Sequence, residues 1–134
     1  MAVYADTSFL LSAISTESSS DRARTELDRV IASEEQIQTS VITKIEMARA
    51  IANRGIDPKV STFINRQLTF IDIDETIIHG AIELEIPQTA SFLRTLDAIH
   101  IATARQLAVK TVLTFDNRQR AACQSIGLDV SPLD

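Results

Sequence analysis

Short apolar runs alternate along this chain with longer stretches in which apolar residues recur at spacings of three and four. The runs have strand length and the stretches have helix length. That alternation specifies a parallel sheet, because parallel neighbours need a crossover of a dozen or more residues between them. Ala2 to Ala5, Ile37 to Thr39, Leu68 to Ile73, Thr111 to Phe115 and Leu128 to Ser131 read as strands. Between them, Phe9 to Ile14 suits a buried helix, and Ser20 is placed to cap a second one carrying Ala23, Leu27, Val30 and Ile31. Ser40 is placed to cap a third, which runs to Asn53 or Arg54 and stops at Gly55. Pro58 falls in the first turn of another. Further helices are expected over Glu75 to Glu85, Leu96 to Leu107 and Asn117 to Ser125, with Pro87 and a polar stretch ahead of the second of these. With right-handed crossovers, the order β-α-α-β-α-α-β-α-α-β-α-β puts helices on both sheet faces. The reactive crevice of such a fold lies at the carboxyl ends of the strands, where strand order reverses.

At 134 residues the chain fits one domain, expected over residues 1–134. Thirteen Lys and Arg against eighteen Asp and Glu leave a net charge of −5, which excludes nucleic-acid binding by bulk positive charge. It leaves open work on nucleic acid at a local acidic site loaded with metal. Cys123 is the only cysteine, so there is neither an intramolecular disulfide nor a cysteine zinc cluster, and its apolar helix suits a buried small hydrophobe. No apolar stretch reaches the length of a membrane span and no signal-peptide pattern opens the chain, so a cytoplasmic protein without membrane contact is expected.

Two acids follow strands directly, Asp6 after Val3-Tyr4-Ala5 and Asp116 after Val112-Leu113-Thr114-Phe115, and both belong at the carboxyl edge of the sheet. Taken singly, each is more often a helix cap than a catalyst. Glu46 lies in the third helix, where pairing with Arg49 in solvent is the simpler reading. Asp97 opens a nearly all-apolar helix and shares one arc with His100 and Thr103, so a small polar strip is expected to face out of a buried element. A carboxylate there costs several kcal/mol unless it is paired, holds a cation, or sits in the first turn, where the helix dipole favours it and Thr95 could cap. Jointly the pattern says more. Carboxylates converging on one crevice repel each other unless a cation lies among them. Oxygen ligands without cysteine favour Mg²⁺ or Mn²⁺ over zinc, and such a site can polarise a phosphodiester and activate water for in-line attack.

At these residues the chain resembles the PIN-domain ribonucleases, in particular the VapC toxins of toxin–antitoxin pairs. The resemblance rests on Tyr4-Ala5-Asp6-Thr7-Ser8-Phe9-Leu10, the run from Ser40 to Ala50, the run from Leu93 to Ala104 with its Leu96-Asp97-Ala98-Ile99-His100-Ile101-Ala102-Thr103-Ala104 core, and Leu113-Thr114-Phe115-Asp116. It implies a three-layer α/β/α fold with a central parallel sheet of four or five strands. It also implies a metal-dependent endoribonuclease in which Asp6, Glu46, Asp97 and Asp116 form a four-carboxylate Mg²⁺ or Mn²⁺ site. Within that site Asp6 and Asp97 would bind metal, Glu46 would orient or deprotonate the attacking water, and Asp116 would complete the metal site. Thr7, Ser8 and Thr114 would hydrogen-bond the acids. The family pattern often has a further acid after the Asp116 position, where this chain continues Asn117-Arg118-Gln119-Arg120. The implied partners are an RNA substrate, a VapB-like antitoxin and a second copy of the chain in a homodimer. A catalytically silent PIN-like module that binds RNA or protein is the alternative.

Other residues invite bland readings. His100 suits a neutral core histidine or a brace for Asp97, and His79 a surface position. Arg49, Arg94, Arg118 and Arg120 could meet RNA phosphates or simply be solvated. Asp72-Ile73-Asp74-Glu75-Thr76 spells the opening of aspartyl-phosphate phosphatases, but it follows a late strand with too little chain after it, and Asp74 as a helix cap is simpler. A receiver-type phosphoacceptor would need a lysine after the fourth strand, whereas Lys110 precedes it.

Overall fold

The computed structural model describes residues 1–87 and 93–132. Its five strands are β1 (Ala2–Ala5), β2 (Gln36–Ser40), β3 (Leu68–Ile71), β4 (Thr111–Leu113) and β5 (Asp129–Ser131), all parallel, in the order β3-β2-β1-β4-β5. Helices α1 (Thr7–Ile14) and α2 (Ser20–Ala32) link β1 to β2, and α3 (Ile42–Arg54) with α4 (Thr62–Gln67) links β2 to β3. Helices α5 (Glu75–Ile82) and α6 (Thr95–Gln106) precede β4, and α7 (Asn117–Ser125) joins β4 to β5. This is the expected α/β/α element order. Strand order reverses between β1 and β4, which places the switch point of the sheet there.

Strand alternation divides the core. Val3 and Ala5 point into one cluster with Phe9, Leu10, Leu27 and Val30, while Tyr4 between them points into the other with Ile101, Val112 and Cys123. Both faces of β1 are therefore covered, as a central parallel strand requires. Burial pushes the Cys123 thiol up to about 12, so it stays a protonated small hydrophobe.

Helix ends follow local chemistry, with some displacements from the expected positions. Gly55 closes α3 at φ 66°, a left-handed conformation that glycine adopts without strain. Asp74 caps α5 by accepting from the Ile77 amide at 2.9 Å, as the simpler reading of that motif has it. Ser20 lies inside α2 rather than capping it, its hydroxyl accepting from the Glu17 amide. Ser40 ends β2, and α3 starts at Ile42. Strand β3 ends at Ile71 and α5 at Ile82, both short of their expected limits. The polar stretch after Pro87 falls on residues 88–92, outside the described residues. Among the described residues no helix is long and apolar enough to cross a membrane.

Candidate active site

At the carboxyl edge of β1 the chain turns directly into α1, and Asp6 occupies that turn. Its Oδ1 accepts from the Phe9 amide at 3.0 Å and the Ser8 hydroxyl at 2.7 Å, and its Oδ2 accepts from the Thr114 hydroxyl. Asp6 is thus the N-cap of α1, and it is also 4% exposed. Burial holds its carboxyl above the ordinary value, against the opposing pull of His100 and these three donors.

Strand β4 ends at Leu113 rather than Phe115 because the chain beyond it is bonded to the site instead of to a strand alone. The Phe115 amide donates to the Ser8 hydroxyl at 3.1 Å, and the Asp116 amide donates to the Thr114 hydroxyl at 3.1 Å. Asp116 then caps α7, its Oδ1 accepting from the amides of Arg118 and Gln119 at 2.9 and 3.1 Å. The cap reading of Asp6 and Asp116 and their placement at the strand ends are both correct, because a cap at this edge is also a position in the crevice.

Glu46 comes from α3. Its Oε1 accepts from the Thr7 hydroxyl at 2.7 Å and from His100 Nε2 at 2.8 Å. Burial raises this carboxyl, but the two hydrogen bonds and His100 more than offset it, leaving it below the ordinary value. The solvated Glu46–Arg49 pair is therefore not what forms: Arg49 is exposed on α3, and Glu46 turns inward. Asp97 lies in the first turn of α6, with Oδ2 3.4 Å from the Arg94 amide and its side chain 18% exposed. The arc expected to carry a polar strip is only partly polar at the surface. His100 and Thr103 are buried, and the Thr103 hydroxyl turns back to the Ile99 carbonyl at 2.7 Å. His100 braces Glu46, not Asp97.

Asp6, Thr7, Ser8, Glu46, Asp97 and Asp116 all line one groove of about 470 Å³, with Thr114 buried behind it. A larger cavity of about 690 Å³ lies between α3 and β3, but among the described residues Lys44 and Asp57 are the only ionisable ones lining it. The smaller groove is the one that gathers the acids singled out by the sequence. Arg94 and Arg54 also line the groove. Arg54 had no local sequence signal; only the pairing of the α3 terminus with Glu17, at 3.8 Å, brings it there. Phe115 lines the groove too. Arg120 is buried, donating from Nη1 to the Thr114 carbonyl at 3.0 Å, so it supports the turn before Asp116 rather than facing RNA.

The four acids share the groove without closing on a common point: among the described residues no three His, Cys, Asp or Glu side chains are grouped as metal ligands. The donor set nevertheless suits a hard divalent cation. Glu46, Asp97 and Asp116 each place their hydrogen bonds on one carboxylate oxygen and leave the other without a donor among the described residues. Those oxygens, with no thiolate present, match the preference of Mg²⁺ or Mn²⁺.

Comparison with known proteins agrees with this geometry. Residues 3–124 match the family model for the PIN domain. Ribonuclease VapC35 of Mycobacterium tuberculosis is 33% identical over 135 residues, covering 96% of this chain and 94% of its own. Ribonuclease VapC47 of the same species is 30% identical over 129 residues, covering 93% and 92%. Among solved structures, VapBC2 from Rickettsia felis, bound to a promoter DNA fragment, superposes with a TM-score of 0.74 at 17% identity and full coverage of both chains. The fold and the groove define a PIN-type α/β/α protein. The chain belongs to the PIN-domain family, within its VapC-like branch.

Proposed function

We propose that this protein is a metal-dependent endoribonuclease acting as the toxin of a VapBC-type pair, with Asp6, Glu46, Asp97 and Asp116 as its working acids. The observation that carries this reading is the convergence of four carboxylates, from β1, α3, α6 and the end of β4, on one groove at the sheet's switch point. Asp6, Asp97 and Asp116 would hold a Mg²⁺ or Mn²⁺ ion, which supplies charge neutralisation at the scissile phosphate when bound. Glu46 is held below the ordinary carboxyl value, so it is ionised at neutral pH and able to accept a proton from an attacking water. Thr7 fixes one oxygen of Glu46, and Ser8 with Thr114 fixes both oxygens of Asp6, so the acids keep their orientation as substrate enters. Arg94 and Arg54 supply positive charge along the groove for the RNA backbone.

The names of the similar proteins support the same reading, including an antitoxin partner; a homodimer is part of the proposal as its working assembly. The test is incubation of total cellular RNA with purified protein, with Mg²⁺ or with chelator, beside Asp97→Asn. Discrete fragments that need metal and vanish in the variant are expected. No cleavage by folded, antitoxin-free protein would transfer the role to a binding module.

A further inference from the structure

Behind Glu46 the structure holds a chain of polar groups that the proposed reaction does not itself require. Tyr4 is fully buried, and its hydroxyl accepts from the Ser40 amide at 3.1 Å, lies 2.6 Å from His100 Nδ1 and hydrogen-bonds the Thr39 side chain. His100, also buried, meets Glu46 Oε1 through its other nitrogen at 2.8 Å. We propose that Tyr4 and His100 are positioning residues that hold the imidazole with its Nε2–H toward Glu46 and thereby fix which oxygen of Glu46 faces the groove. This rests on the reading of Glu46 as the acid that orients the attacking water.

The donor and acceptor roles follow from both ends of the chain. An ionised carboxylate offers only acceptors, so the nitrogen beside Glu46 must carry the proton. The Tyr4 oxygen already accepts from the Ser40 amide, and its own proton needs a buried acceptor, which Nδ1 supplies when unprotonated. Nε2–H toward Glu46 with Nδ1 toward the Tyr4 hydroxyl satisfies both ends of the chain. With the Thr7 hydroxyl also donating to Oε1, two fixed donors hold that oxygen and leave Oε2 for the groove. The side chains involved come from β1, α1, α3 and α6, so the orientation of Glu46 is fixed by several elements rather than within its own helix.

Nitrogen-15 spectra of the imidazole in metal-free protein test the lock without any reaction. The wild type is expected to show His100 protonated at Nε2 alone, and Tyr4→Phe to show a mixture of tautomers. Protonation at Nδ1 in the wild type, or an unchanged spectrum in Tyr4→Phe, overturns the proposal. Cleavage kinetics test the consequence. Misplacing a reacting group by about 1 Å costs up to about a hundredfold in rate, so Tyr4→Phe is expected to lower kcat about tenfold with KM unchanged, and His100→Leu about a hundredfold. His100→Gln, whose amide can restore a donor toward Glu46, is expected to recover part of that loss. Glu46→Gln is the control. Loss of cleavage in Glu46→Gln with wild-type kcat in Tyr4→Phe and His100→Leu overturns the positioning role alone. Wild-type cleavage by Glu46→Gln overturns the reading of Glu46, and the positioning role with it.

Discussion

The rings of Phe9 and Phe115 lie with centroids 5.8 Å apart and planes within 6° of parallel. Phe9 is in the first turn of α1, whose N-cap is Asp6, and Phe115 immediately precedes Asp116. The stack therefore joins the two turns that carry these acids, from opposite ends of the chain. The Ser8 hydroxyl reinforces it by accepting from the Phe115 amide while donating to Asp6. The lip of the groove is thus held by apolar contact and by hydrogen bonds that share one set of residues.

Removing that contact should affect both stability and the site. Phe115→Ala is expected to cost about 2 kcal/mol, below the 3–5 kcal/mol typical of a fully buried phenylalanine because Phe115 is only half-buried. Urea unfolding measures the first effect. The second is a weaker response of melting temperature to Mg²⁺ than the wild type shows, measured by thermal shift.

Asp6 gives a pH dependence of definite sign. Its folded-state carboxyl is raised, chiefly by burial. Such an acid contributes stability that is fully present below the unfolded value of about 3.9 and is lost as pH rises through the folded value. In the absence of metal, Asp6→Asn should therefore melt higher than the wild type at pH 7, and the gap should close as pH falls toward about 4. Glu46 titrates in both proteins, so it largely cancels from the comparison. Added Mn²⁺ should raise the wild-type melting temperature and leave the variant nearly unmoved.

Asp97→Asn should leave the fold intact. The carboxylate makes a long contact with the Arg94 amide and a 3.9 Å ion pair with the exposed Arg94 guanidinium, and sits in the first turn of α6, a position worth about 0.3–1 kcal/mol through the helix dipole. Chemical denaturation should show a loss of that size at most, while RNA cleavage disappears. A large destabilisation would make Asp97 a structural residue.

Away from the groove, Glu26 ties α2 to β5. It accepts from the Ser131 hydroxyl at 2.8 Å and from Arg29 on its own helix, and Arg29 chiefly holds its carboxyl below the ordinary value. A depressed acid contributes stability present above the unfolded value, about 4.3, and lost as pH falls through the folded one. Ser131→Ala is expected to cost about 1–2 kcal/mol at pH 7, and less once Glu26 is protonated. Urea titrations at neutral and acid pH read the difference.

How far the sequence reveals this molecule depends on whether the deciding interaction is local. The alternation of apolar runs and helical stretches fixes the element order, because strand and helix periodicity are properties of neighbouring residues. Caps such as Asp6, Asp74 and Asp116 are equally local, which is why their placement at strand ends is readable. Strand limits are less so: β4 gives way after Leu113 because Ser8, from the other end of the chain, takes over the Phe115 amide. Tyr4 reads in sequence as one more apolar strand residue, since its partners Ser40 and His100 are brought to it only by the fold. Arg120 fails in the opposite sense, a cation that looks solvated until the Thr114 carbonyl is seen beside it. The Glu46–His100 contact spans α3 and α6, and no helical spacing could announce it.

The central claim is that the four acids act as one divalent-cation site. Mn²⁺ binding to metal-free protein, followed by electron paramagnetic resonance for the wild type and for Asp6→Asn, Glu46→Gln, Asp97→Asn and Asp116→Asn in turn, tests it most directly. The account requires saturable binding by the wild type at millimolar Mn²⁺ or below, weakened at least about tenfold when Asp6 or Asp97 is neutralised, in line with the loss of a buried charge partner worth more than 1.4 kcal/mol. Binding that is absent from the folded wild type, or unchanged in all four variants, would contradict it.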